Sequence, residues 1–201
     1  MIHLYEPGQA NHPIFFLLHG TGGDERDLLP LAAHIDEKAA VLSVRGDVSE
    51  NGMNRFFKRL REGVFDEEDL IMRTKNMASF LKEAVKKYGF EKEKLLAIGY
   101  SNGANLAGSL LFHHGDLLPK AVLMHPMVPR KDVILPDLTG VKVLITAGIN
   151  DPLCPKHETH LLLEKLREAG ALVTLNWFSA GHQISREEID AIKTWVEEQA
   201  G

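Results

Sequence analysis

Leu95-Leu96-Ala97-Ile98-Gly99-Tyr100-Ser101-Asn102-Gly103-Ala104-Asn105-Leu106 joins an apolar run to a segment with helical spacing through a G-x-S-x-G turn. A strand that enters and a helix that leaves across so short a connection is the setting of a nucleophile elbow. There the serine takes a strained backbone conformation that lifts its hydroxyl above the sheet. Gly99 and Gly103 let strand and helix approach without a side-chain clash. Outward from this turn, short apolar runs alternate with longer amphipathic ones. Strands are predicted at Ile14 to Leu18, Ala40 to Val44, Leu95 to Ile98, Ala121 to Met124, Val141 to Thr146 and Leu172 to Trp177. Helices are predicted at Leu28 to Glu37, Asp69 to Tyr88, Asn102 to His113, Lys156 to Ala169 and Arg186 to Gln199. The second carries the stripe Leu70, Ile71, Met77, Phe80, Leu81, Ala84, Val85 and Tyr88 and stops at Gly89. Ser185 and Glu188 have capping-box spacing before the last. Strands apolar on both faces suit a parallel sheet covered by helices, with right-handed crossovers and a ligand site at the strands' carboxyl ends. The chain therefore reads as α/β: a mostly parallel twisted sheet with helices on both faces. No repeat or linker divides it, so residues 1–201 are expected to form a single domain.

Composition narrows the function classes. At 201 residues and 44% hydrophobic, the chain can bury about 70% of its unfolded surface and needs no disulfide or metal to hold a core. Lys+Arg 23 against Asp+Glu 28, with no basic tract, argues against nucleic acid as a partner. The single cysteine, Cys154, excludes an internal disulfide, and Met1 to Pro7 lacks the pattern of a signal peptide, so a cytoplasmic location is expected. No apolar stretch approaches the ~20 residues of a membrane span.

A serine hydroxyl is a weak nucleophile at neutral pH and needs a base, usually a histidine oriented by a carboxylate. Asp151 follows the fifth predicted strand in Gly148-Ile149-Asn150-Asp151-Pro152, and His182 follows the sixth in Ser179-Ala180-Gly181-His182. The order Ser101, Asp151, His182 is that of the α/β-hydrolase triad. Read singly, Asp151-Pro152 also suits a helix-entry turn and Gly181-His182 a polar loop. Acyl transfer through serine also needs two N–H donors aimed at one oxyanion. The backbone N–H of Asn102, after the nucleophile, and of Thr21, in His19-Gly20-Thr21-Gly22-Gly23 after the first predicted strand, are the candidates. A phosphate-cradling reading of that glycine-rich loop lacks G-x-G-x-x-G and a P-loop lysine.

The chain resembles the small carboxylesterase and lysophospholipase-like branch of the α/β hydrolases, which includes acyl-protein thioesterases. The resemblance runs through His19 to Glu25, Arg45-Gly46, Gly99 to Asn105, His125-Pro126-Met127, Gly148 to Pro152 and Gly181-His182. It implies a compact lidless α/β-hydrolase fold, often a homodimer, that needs no cofactor and cleaves short to medium acyl esters or thioesters. It also implies nucleophile, acid and base on Ser101, Asp151 and His182, with an oxyanion donor at Thr21. Thioesterase members usually read Gly-Phe-Ser-Gln-Gly at the elbow, where this chain has Tyr100 and Asn102.

For the substrate, a small-molecule ester, the expected pocket residues are Arg55, Phe56, Phe57, Met127 and Leu153. The two phenylalanines form either a binding wall or a packed cluster. Arg55 either takes a substrate carboxylate or pairs with Glu62, Asp66 or Glu67. His157 and His160 sit three apart beside Cys154 without the further ligands a zinc site needs, so no metal is expected. Cys154 has neither an elbow nor a thiolate-stabilising partner. His113-His114 closes the elbow helix, where imidazolium would suit the helix dipole, and His19 is expected to fix the oxyanion loop. A thioesterase, a lysophospholipase or a non-catalytic ligand-binding scaffold are the competing readings.

Overall fold

The computed structural model describes residues 1–199. In chain order the elements are β1 (His3–Glu6), β2 (Ile14–Leu18), α1 (Leu29–Ile35), β3 (Ala40–Val44), β4 (Val48–Glu50), β5 (Met53–Arg55), β6 (Arg59–Arg61), β7 (Val64–Phe65) and α2 (Glu67–Tyr88). There follow β8 (Leu95–Tyr100), α3 (Asn102–His113), β9 (Lys120–Met124), β10 (Lys142–Gly148), α4 (Lys156–Glu168), β11 (Leu172–Phe178) and α5 (Arg186–Glu198). The six predicted strands and five predicted helices are all present, with ends shifted by up to two residues. Seven strands make one sheet in the order β1-β3-β2-β8-β9-β10-β11. All neighbours pair in parallel except β1, which runs antiparallel to β3 at one edge.

Alternation along each strand divides the core. Ile14, Phe16 and Leu18 of β2, with Leu95 and Ala97 of β8, face α2, α3 and α4. Phe15 and Leu17, with Leu96 and Ile98, face α1 and α5. Both faces are thus covered, which is why the strands read as continuous apolar runs. The fold is an α/β-hydrolase fold. No helix among the described residues is long and apolar enough to cross a membrane.

The local signals hold where backbone chemistry enforces them. Asp66 caps α2 by accepting from Asp69 N–H, and Gly89 ends it at φ 67, in the left-handed region. Ser185 and Glu188 form the reciprocal capping box of α5. Three readings are corrected. The edge strand β1 and the hairpins β4–β5 and β6–β7 lie outside the predicted elements. Ile71, in the predicted stripe of α2, is 38% exposed, while Thr74 is buried and bonded to Ser109 of α3. His113 and His114 are not the expected imidazolium cap, because burial pushes both pKa values down and favours the neutral rings.

Candidate active site

Because six strands are parallel, the loops leaving their carboxyl ends converge along one edge of the sheet. Ser101 stands between β8 and α3 with φ 52 and ψ −111, a strained conformation for a residue with a side chain. Its N–H donates to Met124 O at 2.9 Å, which ties the turn to β9. A Cβ on Gly99 would lie 2.7 Å from the backbone of Ala104, and one on Gly103 would lie 2.0 Å from Leu18 O. Both glycines are therefore required by the close approach of β8, α3 and β2.

The three residues expected to act together are brought together. His182 Nε2 lies 2.8 Å from Ser101 Oγ, and His182 Nδ1 lies 2.8 Å from Asp151 Oδ2. Tyr100 donates its hydroxyl to His182 O at 2.7 Å, holding the loop that carries the imidazole. Burial pushes the Tyr100 pKa up to about 12, so the phenol stays protonated. Asp151 Oδ1 accepts from the N–H groups of Leu153 and Cys154 at 2.8 and 3.0 Å. Burial opposes its charge, but hydrogen bonds from His182 and His125 outweigh burial and hold the carboxyl below its usual range.

The loop after β2 lies opposite. His19 is buried; its Nδ1 donates to Gly20 O at 2.6 Å and its Nε2 accepts from Gly46 N–H at 3.0 Å. The second bond needs a free lone pair on Nε2, which fixes the neutral Nδ1–H tautomer, and burial lowers the pKa in the same sense. His19 thus braces the loop, as expected. Among the described residues, the N–H groups of Thr21 and Asn102 donate to no carbonyl or side chain. Asn102 Oδ1 accepts from Phe56 N–H at 2.7 Å, and Thr21 Oγ1 accepts from Arg55 Nη1 at 2.7 Å.

A cleft of about 290 Å³ opens over Ser101, lined by Thr21, Arg55, Phe65, Met127, Leu153 and His182 among others. Met127, Leu153 and Arg55 thus reach it. Phe56 and Phe57, at 2% and 0% exposure, are core residues, and the wall's aromatic rings include Phe65 and Tyr100 instead. Arg55 pairs with Glu50, not with Glu62, Asp66 or Glu67, and its Nε donates to Phe57 O at 3.2 Å. Its guanidinium is already committed to the wall. His160 lies edge-on to Trp177, and His157 Nε2 lies 3.6 Å from Glu158 Oε1. The ligand atoms of His125, Asp151 and His182 lie within 4.8 Å of one another, but hydrogen bonds from both imidazoles to Asp151 already join the three side chains. Cys154 lines the same cleft with its thiol kept protonated by burial.

The sequence reading did not give a role to His125, which contacts the same Asp151 oxygen as His182 at 2.9 Å. Its position directly after β9, level with the other strand ends, was the available signal.

Fold and site together define a hydrolase of the α/β class. Residues 54–199 match the model of the Dienelactone hydrolase family, and the chain belongs to that family. It is 50% identical over 198 residues to the Bacillus subtilis (strain 168) protein named "Putative hydrolase MhqD", covering 98% of each. A Bacillus cereus carboxylesterase structure superposes with a TM-score of 0.95 at 52% identity, covering 98% of this chain and 93% of that one. A Mesorhizobium loti carboxylesterase gives 0.90 at 32% identity, covering 94% and 90%.

Proposed function

We propose that this hydrolase is a carboxylesterase that cleaves short- to medium-chain carboxylic esters through an acyl-enzyme on Ser101. The observation that carries the reading is the unbroken series Ser101 Oγ, His182, Asp151, with both contacts at 2.8 Å and the hydroxyl facing an open cleft. In this reading His182 Nε2 takes the Ser101 proton as Oγ attacks the ester carbonyl, and Asp151 holds the imidazole in the Nδ1–H tautomer and stabilises the imidazolium. The oxyanion accepts from the free N–H groups of Thr21 and Asn102. His182 returns the proton to the departing alcohol. It then deprotonates the water that releases the acid.

A volume of about 290 Å³ is at the small end of ligand pockets and favours a short or medium acyl chain. Met127, Leu153 and Phe65 supply its apolar wall, with Arg55 held beside them. The similarity to two carboxylesterase structures supports an oxygen ester as substrate. The test is hydrolysis of p-nitrophenyl esters from acetate to decanoate, beside Ser101→Ala. The expected result is a rate that peaks at short or medium chains and falls by about three orders of magnitude or more in the variant. Equal turnover by the variant would overturn the assignment. No turnover by either, together with no adduct from a fluorophosphonate probe, would favour the ligand-binding scaffold.

A further inference from the structure

Behind Asp151 lies a set of ionisable side chains that the ester mechanism above leaves without a task. His125 ends β9 in the left-handed region, φ 51, with its side chain fully buried. Its Nδ1 meets Asp151 Oδ2 at 2.9 Å, and its Nε2 meets Glu188 Oε2 at 3.2 Å. Glu188 is also fully buried, and its other oxygen accepts from Thr146 Oγ1 at 2.6 Å. An ionised carboxylate can only accept, so two carboxylate contacts require a proton on both ring nitrogens of His125. Burial opposes that charge, but Glu188 and Asp151 outweigh burial and raise the affinity of His125 for its proton. The remaining groups facing it are uncharged or belong to the reaction. The Tyr100 ring stands edge-on at 6.0 Å, Cys154 Sγ donates to His125 O at 3.1 Å, and the His182 ring is 5.3 Å away.

Resting on the ester mechanism, we propose that His125 and Glu188 are positioning residues: Glu188 holds His125 as a buried imidazolium, and that doubly donating ring locks Asp151 in the orientation that meets His182. Asp151 then has all its acceptor directions filled, by two imidazoles and two backbone amides.

The test uses the full chain with isotope-labelled histidines. Glu188→Gln keeps the size of the side chain and the capping box, which glutamine also forms, while removing the charge. Ser185→Ala removes the cap and leaves Glu188 in place. Nitrogen NMR reads the protonation of His125, and kcat and KM for p-nitrophenyl butyrate are read separately. In the native chain both His125 ring nitrogens are expected to stay protonated at pH 7.5. In Glu188→Gln one proton is lost, and kcat falls by about tenfold with KM unchanged. Ser185→Ala lowers Tm and leaves kcat in place. A neutral His125 in the native chain, or a folded Glu188→Gln with native kcat, overturns the proposal. Hydrolysis that survives Ser101→Ala would sink the ester mechanism instead, while the NMR arm still decides the protonation of His125.

Discussion

Replacing Asp151 by asparagine confronts one amide with two incompatible demands. Oδ2 accepts from His182 and His125, and Oδ1 accepts from the N–H groups of Leu153 and Cys154. All four partners are donors, whereas an amide has only one accepting end. If the amide oxygen faces the imidazoles, its NH2 points at two buried N–H groups, and two orphaned donors cost about 1–3 kcal/mol each. If it faces the backbone instead, NH2 meets His182 Nδ1 and forces the tautomer whose Nε2–H points at Ser101 Oγ, 2.8 Å away. That imidazole cannot take the serine proton. The second arrangement spares the backbone bonds, so Asp151→Asn is expected to lower kcat by about 10³–10⁴-fold. The loss of the charge-assisted bond to His125 lowers stability by about 2 kcal/mol, which for a chain of this size is about 4–8 °C in Tm. Initial rates on p-nitrophenyl butyrate and a urea titration read both quantities. An asparagine variant within tenfold of the native rate would refute the tautomer argument, and an unchanged urea midpoint would refute the count of acceptors.

Two further outcomes follow from the same geometry. Alanine at Gly103 places a Cβ 2.0 Å from Leu18 O, whereas alanine at Gly89 meets nothing within 4 Å and suffers only from φ 67. Gly89→Ala should therefore cost about 1 kcal/mol and keep full activity, while Gly103→Ala should lose both stability and turnover, compared by urea midpoint and ester hydrolysis. Stability toward acid has a defined sign at Asp151. Its folded pKa lies below the unfolded one despite burial, because His182 and His125 donate to it, so its contribution is fully present above about pH 4 and is lost as pH falls through the folded value. Urea midpoints measured between pH 6 and pH 3 should thus converge for the native chain and Asp151→Asn at the acid end.

What the sequence made legible was whatever one strand, helix or turn enforces by itself. Core strands such as Phe15 and Phe16 of β2, buried on two opposite faces, carry an unbroken apolar signal. The elbow glycines were readable because no other residue fits between β8, α3 and β2. The strand β1 was not, since His3 to Glu6 is short, polar and half-exposed and forms only because β3 offers an edge. The β4–β5 hairpin hid among polar residues, although Asn51-Gly52, with φ 52 and 79, is the dipeptide a tight hairpin turn favours. Phe56 and Phe57 look the same in sequence whether they wall a pocket or fill a core. Their fate is decided by the path of the segment beneath the loop, where Gly46 lets the backbone of Arg55 and Phe56 come close enough that a Cβ would stand 2.3 Å from Arg55 O.

The site shows the same division at a finer scale. Ser101, Asp151 and His182 are legible because each follows a strand in a loop whose chemistry has a known order. Glu188 is legible too, but only in its local role, since capping-box spacing accounts for it completely. Nothing in that spacing says that its second oxygen reaches Thr146 of β10, or that the first also meets His125 of β9. Those contacts exist because α5 packs across the end of the sheet face, through Ile192, Trp195 and Val196, and carries its first turn to the strand termini. A buried carboxylate is costly unless a cation or several donors answer it, and here His125, Thr146 and Ser185 do so together. A residue that satisfies a local rule can thereby hold a second, nonlocal position, and the first reading conceals the second.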